Sequence, residues 1–365
     1  MTATPPQAAR PTERILPLEG ARGIMAWWVV LGHYTHTVNF RQPILENNAL
    51  AVDVFVILSG FVITLLIIRK REPYLKYIIR RAFRIFPAYL VVLLLSAALL
   101  PVFADAMTDV PFQSERNANR LGQVEAALAW FKPHLAVHLP LLQGLVPPSI
   151  QADAPFTIVG QAWSISLEWQ FYIVAPLIVF LATRRWGWAA LVVIVGLLAV
   201  TASFMSIGYL GAKVFQFALG IASCFGFVSE GRRRSLAFAV AALTGFGCVA
   251  MNGWLQVWPL LIWLGCMLIV MGWRRWPIAA RAASVLSSPF LKWVGDRSYS
   301  VYLVHMLPIY LGVYVLNATD LSNADYAVAL FGIVIVATVV LSVASYTLVE
   351  RPFIKVGAWL SSKLP

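Results

Sequence analysis

Arg22 and His33 lie eleven residues apart in an apolar segment near the start of the chain. On an α-helix this spacing is a rise of about 16 Å and falls within roughly 20° of three full turns, so both side chains point to one face. Ionisable side chains at membrane depth are costly and usually face a bundle interior or a water-filled cavity. The pair therefore predicts an interior site, while a snorkelling arginine and a structural histidine are the alternative.

An acidic residue, Asp53, lies near the start of the next apolar segment, AVDVFVILSGFVITLL. If the first segment runs outward and the second returns, Asp53 and His33 are at similar depth. A carboxylate beside an imidazole orients the ring and keeps it basic enough to take a proton from a hydroxyl. The alternative is an aspartate that only caps a helix or interacts with its dipole.

A basic run, KYIIRRAFRIFP, follows the second apolar segment. Arg81 and Arg84 are at i and i+3 on one helical face, beside a stripe formed by Lys76, Arg80 and Arg84. Arginine side chains bind phosphate groups through bidentate, charge-assisted hydrogen bonds. The run predicts a phosphate site, with anionic lipid headgroups as the alternative ligand.

Apolar helices are the elements that must position these residues. The chain of 365 residues is 60% hydrophobic and only 12% charged, whereas soluble chains are about half apolar and a quarter charged. The apolar residues form near-continuous blocks of about 18 residues or more, which cross a bilayer as helices, and they lack the alternation of barrel strands. We predict an all-α polytopic membrane bundle of about ten transmembrane helices, near 20–38, 49–68, 87–104, 163–182, 187–206, 209–228, 236–251, 254–272, 299–317 and 326–349.

The basic residues predict the orientation of this bundle. A net charge of +12 would suggest nucleic-acid binding in a soluble protein, but in a membrane protein it reflects basic cytoplasmic loops. With the N-terminus inside, all but five of the 28 Lys and Arg residues lie on the inner side; the exceptions are Arg41, Arg116, Arg120, Lys132 and Lys213. We predict that both termini are cytoplasmic and that the chain is a multi-pass membrane protein that binds no nucleic acid.

The chain divides into one transmembrane domain, residues 15–354, between two short tails. Residues 1–14 are polar and Pro-rich and predict a disordered cytoplasmic tail, and residues 355–365 predict a second short tail. The large connection 105–162 is predicted to face outward. Its stretch AALAWFKPHLAVHLPLLQGL is interrupted by prolines, and we interpret it as an interfacial or re-entrant helix.

Metal and disulfide chemistry are not indicated. The three cysteines are odd in number and all lie in apolar spans, which gives no disulfide framework. His134 and His138 are at i and i+4, a spacing that can hold a metal, but Cys and acidic partners are missing nearby. We predict no metal site and no permanently bound cofactor.

Six motifs occur in order along the chain: LEGARGIMAWWVVLGH, VDVFVILSGFVIT, RRAFRIFPAYL, WSISLEWQFYIVAPL, SYSVYLVHMLPIY and SYTLVERPF. In their order and approximate spacing they resemble the acyltransferase 3 family of integral-membrane O-acyltransferases, from residue 15 to 354. The resemblance implies a ten-helix domain. It also implies transfer of an acyl group, most often acetyl, from cytoplasmic acyl-CoA to a hydroxyl of a carbohydrate or similar acceptor.

The resemblance also implies roles for the first three motifs. The family's Arg-x10-His motif matches Arg22 and His33, with the histidine essential for transfer. Its acidic residue matches Asp53, and its Arg-x-x-Arg motif, associated with acyl-CoA handling, matches Arg81 and Arg84.

The later motifs imply further site residues. The first acidic position of the family's fourth motif matches Glu168, but its second acidic position is Trp169 here, so an acidic pair is not available. Trp163 and Trp169 flank Glu168 and are candidates for packing on a sugar ring. His305, in YLVH, is a candidate for substrate binding, and Glu350 with Arg351 match a motif whose role looks structural or ligand-positioning.

We therefore expect His33, oriented by Asp53 or Glu168, to deprotonate the acceptor hydroxyl, with a covalent acyl-histidine as the rival mechanism. Arg22, Arg81 and Arg84 are expected to bind acetyl-CoA or another acyl-CoA as donor substrate. The other expected partners are membrane lipids and a carbohydrate or glycolipid acceptor. A proton-coupled secondary transporter of a small polar or anionic solute is the alternative function, because buried His, Asp, Glu and Arg are also typical of carriers.

Overall fold

The computed structural model describes residues 15–364, and the regular structure in that range is entirely helical. The helices of the first half are α1 (Leu16–Thr37), α2 (Pro43–Glu46), α3 (Ala49–Lys70), α4 (Tyr74–Ala98), α5 (Leu100–Thr108), α6 (Glu115–Ala129), α7 (Phe131–His138), α8 (Trp163–Ala182) and α9 (Gly187–Thr201). Those of the second half are α10 (Val214–Val228), α11 (Gly231–Asn252), α12 (Val257–Gly272), α13 (Pro277–Leu286), α14 (Pro289–Asp296), α15 (Ser298–Val304), α16 (Met306–Leu316), α17 (Asn323–Ala344) and α18 (Arg351–Ser362). A π-helical segment, Ser345–Glu350, joins α17 to α18.

The prediction of an all-α membrane bundle is confirmed. In the described range, eight helical segments are long and apolar enough to cross a bilayer, and the bent pair of α4 and α5 makes a ninth. These nine correspond to the predicted spans from 49–68 to 326–349. The predicted tail 1–14 lies outside the described residues.

The first predicted span, 20–38, is the 22-residue helix α1. It is not among the nine strongly apolar segments, because Glu19, Arg22, His33 and His36 lower its hydropathy. Its position in the bundle compensates for this, since α1 packs against α3, α13, α14 and α15. The polar side chains of α1 therefore face protein, as the cost of charge in lipid requires.

Two glycines let α3 and α10 approach closely. A Cβ atom at Gly60 would lie 2.5 Å from the carbonyl oxygen of Phe217, and one at Gly220 would overlap the carbonyl of Ile57. Small residues at such contacts are typical of membrane helix packing, because they let two backbones meet. The glycine of the LSG sequence in α3 is thus a packing residue.

The connection 105–162 folds into short helices over one end of the bundle. It contains the end of α5, then α6 and α7, and the stretch predicted as one interfacial or re-entrant helix is divided between α6, α7 and a 3-10 turn, Gln143–Leu145. The Oγ atom of Ser114 caps α6 by accepting a hydrogen bond from the Asn117 backbone N–H at 3.2 Å. Helix α6 packs against α1 and α5, which brings the connection to the site.

The C-terminal residues up to 362 are helical. The π-helical segment leads into α18, which packs along α4. Single π turns inside helices are often found at functional sites. Here this segment presents Glu350 to α4, as described below.

Candidate active site

Two cavities lie beside α1, and the predicted pair is divided between them. The histidine cavity has a volume of about 220 Å³, and its lining includes His33, Arg120, Gln161, Trp163 and Tyr310. The arginine cavity has a volume of about 50 Å³, and its lining includes Arg22, Ser59, Ser164, Glu168 and Tyr302.

A hydrogen-bonded wall lies between these cavities. The Tyr302 hydroxyl donates to the carbonyl oxygen of Gln161 at 2.8 Å and lies 2.7 Å from the Ser164 Oγ atom. Gln161 lines the histidine cavity, whereas Ser164 and Tyr302 line the arginine cavity. The start of α8 and the helix α15 therefore form a shared boundary.

An arginine from the connection, Arg120 of α6, contacts His33 directly. Its Nη2 atom lies 3.1 Å from the His33 Nδ1 atom and 3.2 Å from the His33 carbonyl oxygen, and its Nη1 atom donates to the Thr37 Oγ1 atom at 2.6 Å. Burial lowers the pKa of Arg120, yet a guanidinium stays protonated in proteins and only donates. The Nδ1 atom of His33 must therefore accept this hydrogen bond, so neutral His33 carries its proton on Nε2.

A second imidazole, that of His305, lies on the other side of His33. The ring centroids are 5.1 Å apart, and the His305 side chain is fully buried. The His305 Nδ1 atom donates to the Tyr302 carbonyl oxygen at 2.7 Å. Its Nε2 atom is buried and has no hydrogen-bond partner among the described residues, so this atom carries an unused lone pair next to the His33 ring.

Arg116 and His36 form a parallel contact one turn away. The Arg116 Nη1 atom contacts the His36 ring, and the His36 Nε2 atom lies 3.0 Å from the Glu46 carbonyl oxygen. Sequence reasoning placed Arg116 and Arg120 only as outward-facing charges. The available signal was their i, i+4 spacing, which puts both on one face of α6.

Asp53 does not lie beside His33 as expected. One of its carboxylate oxygens is 2.6 Å from the Lys213 Nζ atom, and the other accepts a hydrogen bond from the Gln256 Nε2 atom at 2.7 Å. The reason is the rotation of α3, which turns Asp53 toward the segments that precede α10 and α12. The capping alternative also fails, since α3 begins at Ala49 and its N-cap residue is Asn48.

Glu168 lies in the arginine cavity and does not contact His33. Its Oε1 atom accepts hydrogen bonds from the Ser59 Oγ atom at 3.1 Å and from the Tyr172 hydroxyl at 2.5 Å. Arg22 lines the same cavity and is ion-paired with Glu19 at 3.2 Å. Neither of the two acidic residues expected to orient His33 contacts it, and the His305 ring lies beside His33 instead.

Trp163 and Trp169, the aromatic residues predicted to bind substrate, have different neighbours in the structure. Trp163 lines the histidine cavity, as a residue that stacks on an acceptor would. Trp169 instead packs edge to face on Phe86, with ring centroids 5.0 Å apart. Adjacent turns of α8 present these tryptophans to different neighbours, and His305 lies behind His33 in the protein interior.

Arg81 and Arg84, the two residues predicted to bind phosphate, contact different neighbours in the structure. Arg84 forms an ion pair with Glu350 at 2.8 Å, and Glu350 accepts a hydrogen bond from the Ser300 Oγ atom at 2.7 Å. Arg81 lies over the Tyr172 ring at 5.8 Å, and its buried Nε atom has no hydrogen-bond partner in the described range. Arg84 therefore connects α4 to the π-helical segment. Of the two arginines, Arg81 is the one whose Nε–H donor has no partner in the described range.

The histidines of α7 hold the connection together. The His138 Nε2 atom lies 3.0 Å from the Ala154 carbonyl oxygen, and the Thr157 Oγ1 atom lies 2.9 Å from the His134 Nδ1 atom. Burial lowers the pKa of His138 to about 3, so the ring is neutral at physiological pH. Within residues 15–364 there is no group of three or more His, Cys, Asp or Glu side chains that could hold a metal ion.

Comparison with known proteins places this chain in a family. The model of the family described as Acyltransferase domain (Acyl_transf_3) matches residues 16–346. The chain belongs to this acyltransferase family. It is a multi-pass membrane protein, as its apolar helices indicate, and the family favours an enzyme over the transporter that the sequence also allowed.

Three relatives are similar over nearly the whole chain. The peptidoglycan O-acetyltransferase OatA of Listeria monocytogenes is 24% identical, covering 93% of this chain and 56% of the relative. The putative peptidoglycan O-acetyltransferase YrhL of Bacillus subtilis is 25% identical, covering 92% and 54%. The putative membrane-bound transacylase BcsY of Komagataeibacter xylinus is 28% identical, covering 93% and 83%.

The chain thus spans about half the length of the first two relatives. No solved structure matches it.

Proposed function

We propose that this chain transfers an acyl group, most simply acetyl, from cytoplasmic acyl-CoA to a hydroxyl of a carbohydrate or glycoconjugate of the bacterial cell envelope. Two relatives named as peptidoglycan O-acetyltransferases, one of them putative, support an envelope polymer as the acceptor class. The observation that carries the proposal is the histidine cavity, where a partly buried imidazole and a buried guanidinium share a hydrogen bond.

In this proposal His33 is the general base. Its Nδ1 lone pair is the only one on the neutral ring, and Arg120 occupies it in the structure. The acceptor hydroxyl takes the place of the guanidinium at Nδ1 and gives up its proton there as the hydroxyl oxygen attacks the thioester carbonyl. The C–O bond forms, the C–S bond breaks, and the proton passes from His33 to the departing thiolate.

Arg120 then stabilises the charge that develops on the thioester carbonyl oxygen. A fixed cation in a site with little water is worth much more there than in solution. The guanidinium is held in place by Thr37 on the same side as His33. The Nη1 atom stays on Thr37, and only the Nη2 atom changes its partner from His33 Nδ1 to the oxyanion.

His305 stabilises the imidazolium that forms on His33. The Tyr302 carbonyl holds the His305 proton on Nδ1, so the Nε2 lone pair, which has no hydrogen-bond partner in the described residues, is available to accept from the His33 Nε2–H group when the imidazolium forms. This is the part that a carboxylate plays in a Ser-His-Asp triad. A neutral imidazole in this position orients His33 without adding a buried negative charge.

On the donor side, we assign the phosphate groups of acyl-CoA to Arg81 and the arginine cavity to its pantetheine arm. Arg22 and Glu168 line this cavity, and Arg81 lies over Tyr172, whose hydroxyl donates to Glu168. Arginine suits phosphate because its planar fork binds two oxygens at once. The arm reaches the thioester position by displacing the wall at Tyr302.

The test is transfer of label from radiolabelled acetyl-CoA to membrane and cell-wall extracts by the purified full chain. His33→Ala should lower transfer by about 10²- to 10⁴-fold, the range typical of a lost general base. His36→Gln is the comparison variant: it alters the next histidine of α1, which contacts Arg116 and the edge of the His33 ring but does not line the cavity, so it should lose far less transfer than His33→Ala. Transfer at the normal rate by His33→Ala would remove His33 from the reaction.

The same assay separates direct transfer from a covalent acyl-histidine. In a single turnover without acceptor, direct transfer leaves no label on the washed protein. Label that stays on the protein and is lost in the His33→Ala variant would establish the covalent route.

A further inference from the structure

A third cavity, larger than both cavities at α1, is separate from them. It is a groove of about 860 Å³ between α8, α9, α10 and α11, and we call it the lateral groove. Its lining is dominated by apolar side chains, among them Ile178, Trp188, Val192, Ile221 and Leu236. Ligand cavities of this size hold molecules with a large apolar part.

The lateral groove opens to the side of the bundle. Trp188, Val192 and Leu236 line it and are also 43%, 70% and 60% exposed. In α9, which forms one wall, Gly187 is the only buried residue. The surface around the groove is therefore in contact with the hydrocarbon of the bilayer, and a molecule enters it from the membrane.

One end of the groove is basic. Arg184 and Arg185 follow the C-cap residue of α8, Arg233 is in the first turn of α11, and all three line the groove and are exposed. None of them forms an ion pair with a carboxylate in residues 15–364; Arg184 packs over the Phe180 ring at 4.8 Å. The hydroxyls of Thr183 and Ser229 line the same end.

We infer that the lateral groove is a binding site for one anionic phospholipid. The apolar walls bury its acyl chains, and the three guanidinium groups bind the phosphate of its headgroup through charge-assisted hydrogen bonds. A zwitterionic lipid offers the same chains, but its own ammonium group cancels the attraction to the arginines. A soluble phosphate offers the charge and leaves the apolar walls uncovered.

The lipid site borders the arginine cavity but is distinct from it. Phe217 lines both, and it stacks on Phe171 with ring centroids 4.2 Å apart. This stacked pair closes the groove toward the proposed donor site. Lipid binding therefore does not depend on the proposed acyl transfer, and the test below measures binding alone.

The experiment is native mass spectrometry of the purified full chain in detergent, titrated with phosphatidylglycerol, phosphatidylcholine or glycerol 3-phosphate. We expect one phosphatidylglycerol to be retained about tenfold more tightly than phosphatidylcholine, and no adduct with glycerol 3-phosphate. Equal retention of phosphatidylglycerol and phosphatidylcholine would show that the three arginines do not select an anionic headgroup. A glycerol 3-phosphate adduct of the same strength would show that the groove is not part of the site, and either result overturns the inference.

Three variants locate the site. Arg184→Gln/Arg185→Gln/Arg233→Gln should lower the affinity for phosphatidylglycerol about tenfold, while the control Arg274→Gln/Arg275→Gln/Arg281→Gln removes the same charge away from the groove and should leave it unchanged. Gly196→Leu adds a side chain to the groove without altering charge, because Gly196 lines the groove and a Cβ atom there meets no other heavy atom within 4 Å. This variant should also lose the lipid, and retention of phosphatidylglycerol by either groove variant would refute the site.

Discussion

Arg120 brings a permanent positive charge to within 3.1 Å of the ring that is proposed to accept a proton. Its side chain is 8% exposed, and its contacts in the described chain are to the neutral groups of His33, Thr37 and Asn117. A buried charge without an opposite charge is costly. A negatively charged oxygen in the transition state offsets that cost, so the binding energy is realised where it accelerates the reaction.

His305 contacts the proposed base His33, so its replacement tests that assignment. Its replacement should lower kcat for acetyl transfer and leave the KM for acetyl-CoA unchanged, because the residue acts through His33 and lines neither cavity. His305→Leu should lose about tenfold in kcat, equivalent to about 1.4 kcal/mol of transition-state stabilisation. His305→Gln should retain more activity, because the glutamine amide oxygen can accept a hydrogen bond from the His33 Nε2–H group.

Steady-state kinetics with the thermal unfolding temperature of each variant are the measurements. An equal loss of kcat in both variants, accompanied by equal loss of thermal stability, would mean that His305 only fills space. A rise in KM with normal kcat would instead make it a substrate-binding residue.

At the scale of helices, the buried pair of Asp53 and Lys213 connects three elements. Asp53 is on α3, Lys213 ends the 3-10 turn before α10, and Gln256 ends the one before α12. The Asp53 side chain is 2% exposed and that of Lys213 7%. Removing one partner of such a pair leaves the other charge buried and alone, which typically costs about 3–5 kcal/mol.

Variants of Asp53 and Lys213 distinguish a structural role of Asp53 from a catalytic role. Asp53→Asn should lower thermal stability strongly, and the double variant Asp53→Asn/Lys213→Gln should recover part of it, because no lone charge remains. A thiol-reactive dye measures unfolding, since Cys224, Cys248 and Cys266 are all free and buried in the folded chain. Asp320→Asn, at an exposed site, is the control for the loss of one carboxylate.

Two outcomes would contradict a structural role for the pair of Asp53 and Lys213. If Asp53→Asn unfolds at the normal temperature and yet loses acetyl transfer, Asp53 acts in catalysis as the family resemblance implied. Equal stability of the single and double variants would show that the two charges do not interact.

The sequence predicted the helices well because length and apolarity alone decide whether a segment spans a membrane. It predicted the polar contacts less well because these depend on how each helix is rotated about its axis. The rotation of α3 turns Asp53 to Lys213, and successive turns of α8 send Trp163 and Trp169 to different neighbours. Arg120 was missed since it reaches the site from α6, a polar helix; its i, i+4 spacing with Arg116 defines one face of α6 but does not show that this face packs on α1.

At the scale of the whole molecule, the charges of the connections agree with a donor and an acceptor that arrive from opposite sides. Arg81 is part of the basic run in the first half of α4, whereas Arg120 is on α6 in the connection 105–162. The two cavities along α1 separate these ends. This arrangement functions across a bilayer only if the basic connections are cytoplasmic and 105–162 faces outward, which the positive-inside rule predicts.

Cysteine labelling in intact cells tests that orientation. The three native cysteines are buried and should give little background, so single cysteines can be added at Ser149→Cys, exposed in the outward connection, and at Ser235→Cys, exposed on α11. A membrane-impermeant maleimide should label Ser149→Cys in intact cells and Ser235→Cys only after permeabilisation. The reverse pattern would place the basic connections outside the cell, where the cytoplasmic pool of acyl-CoA cannot reach Arg81, and would contradict the donor assignment together with the topology.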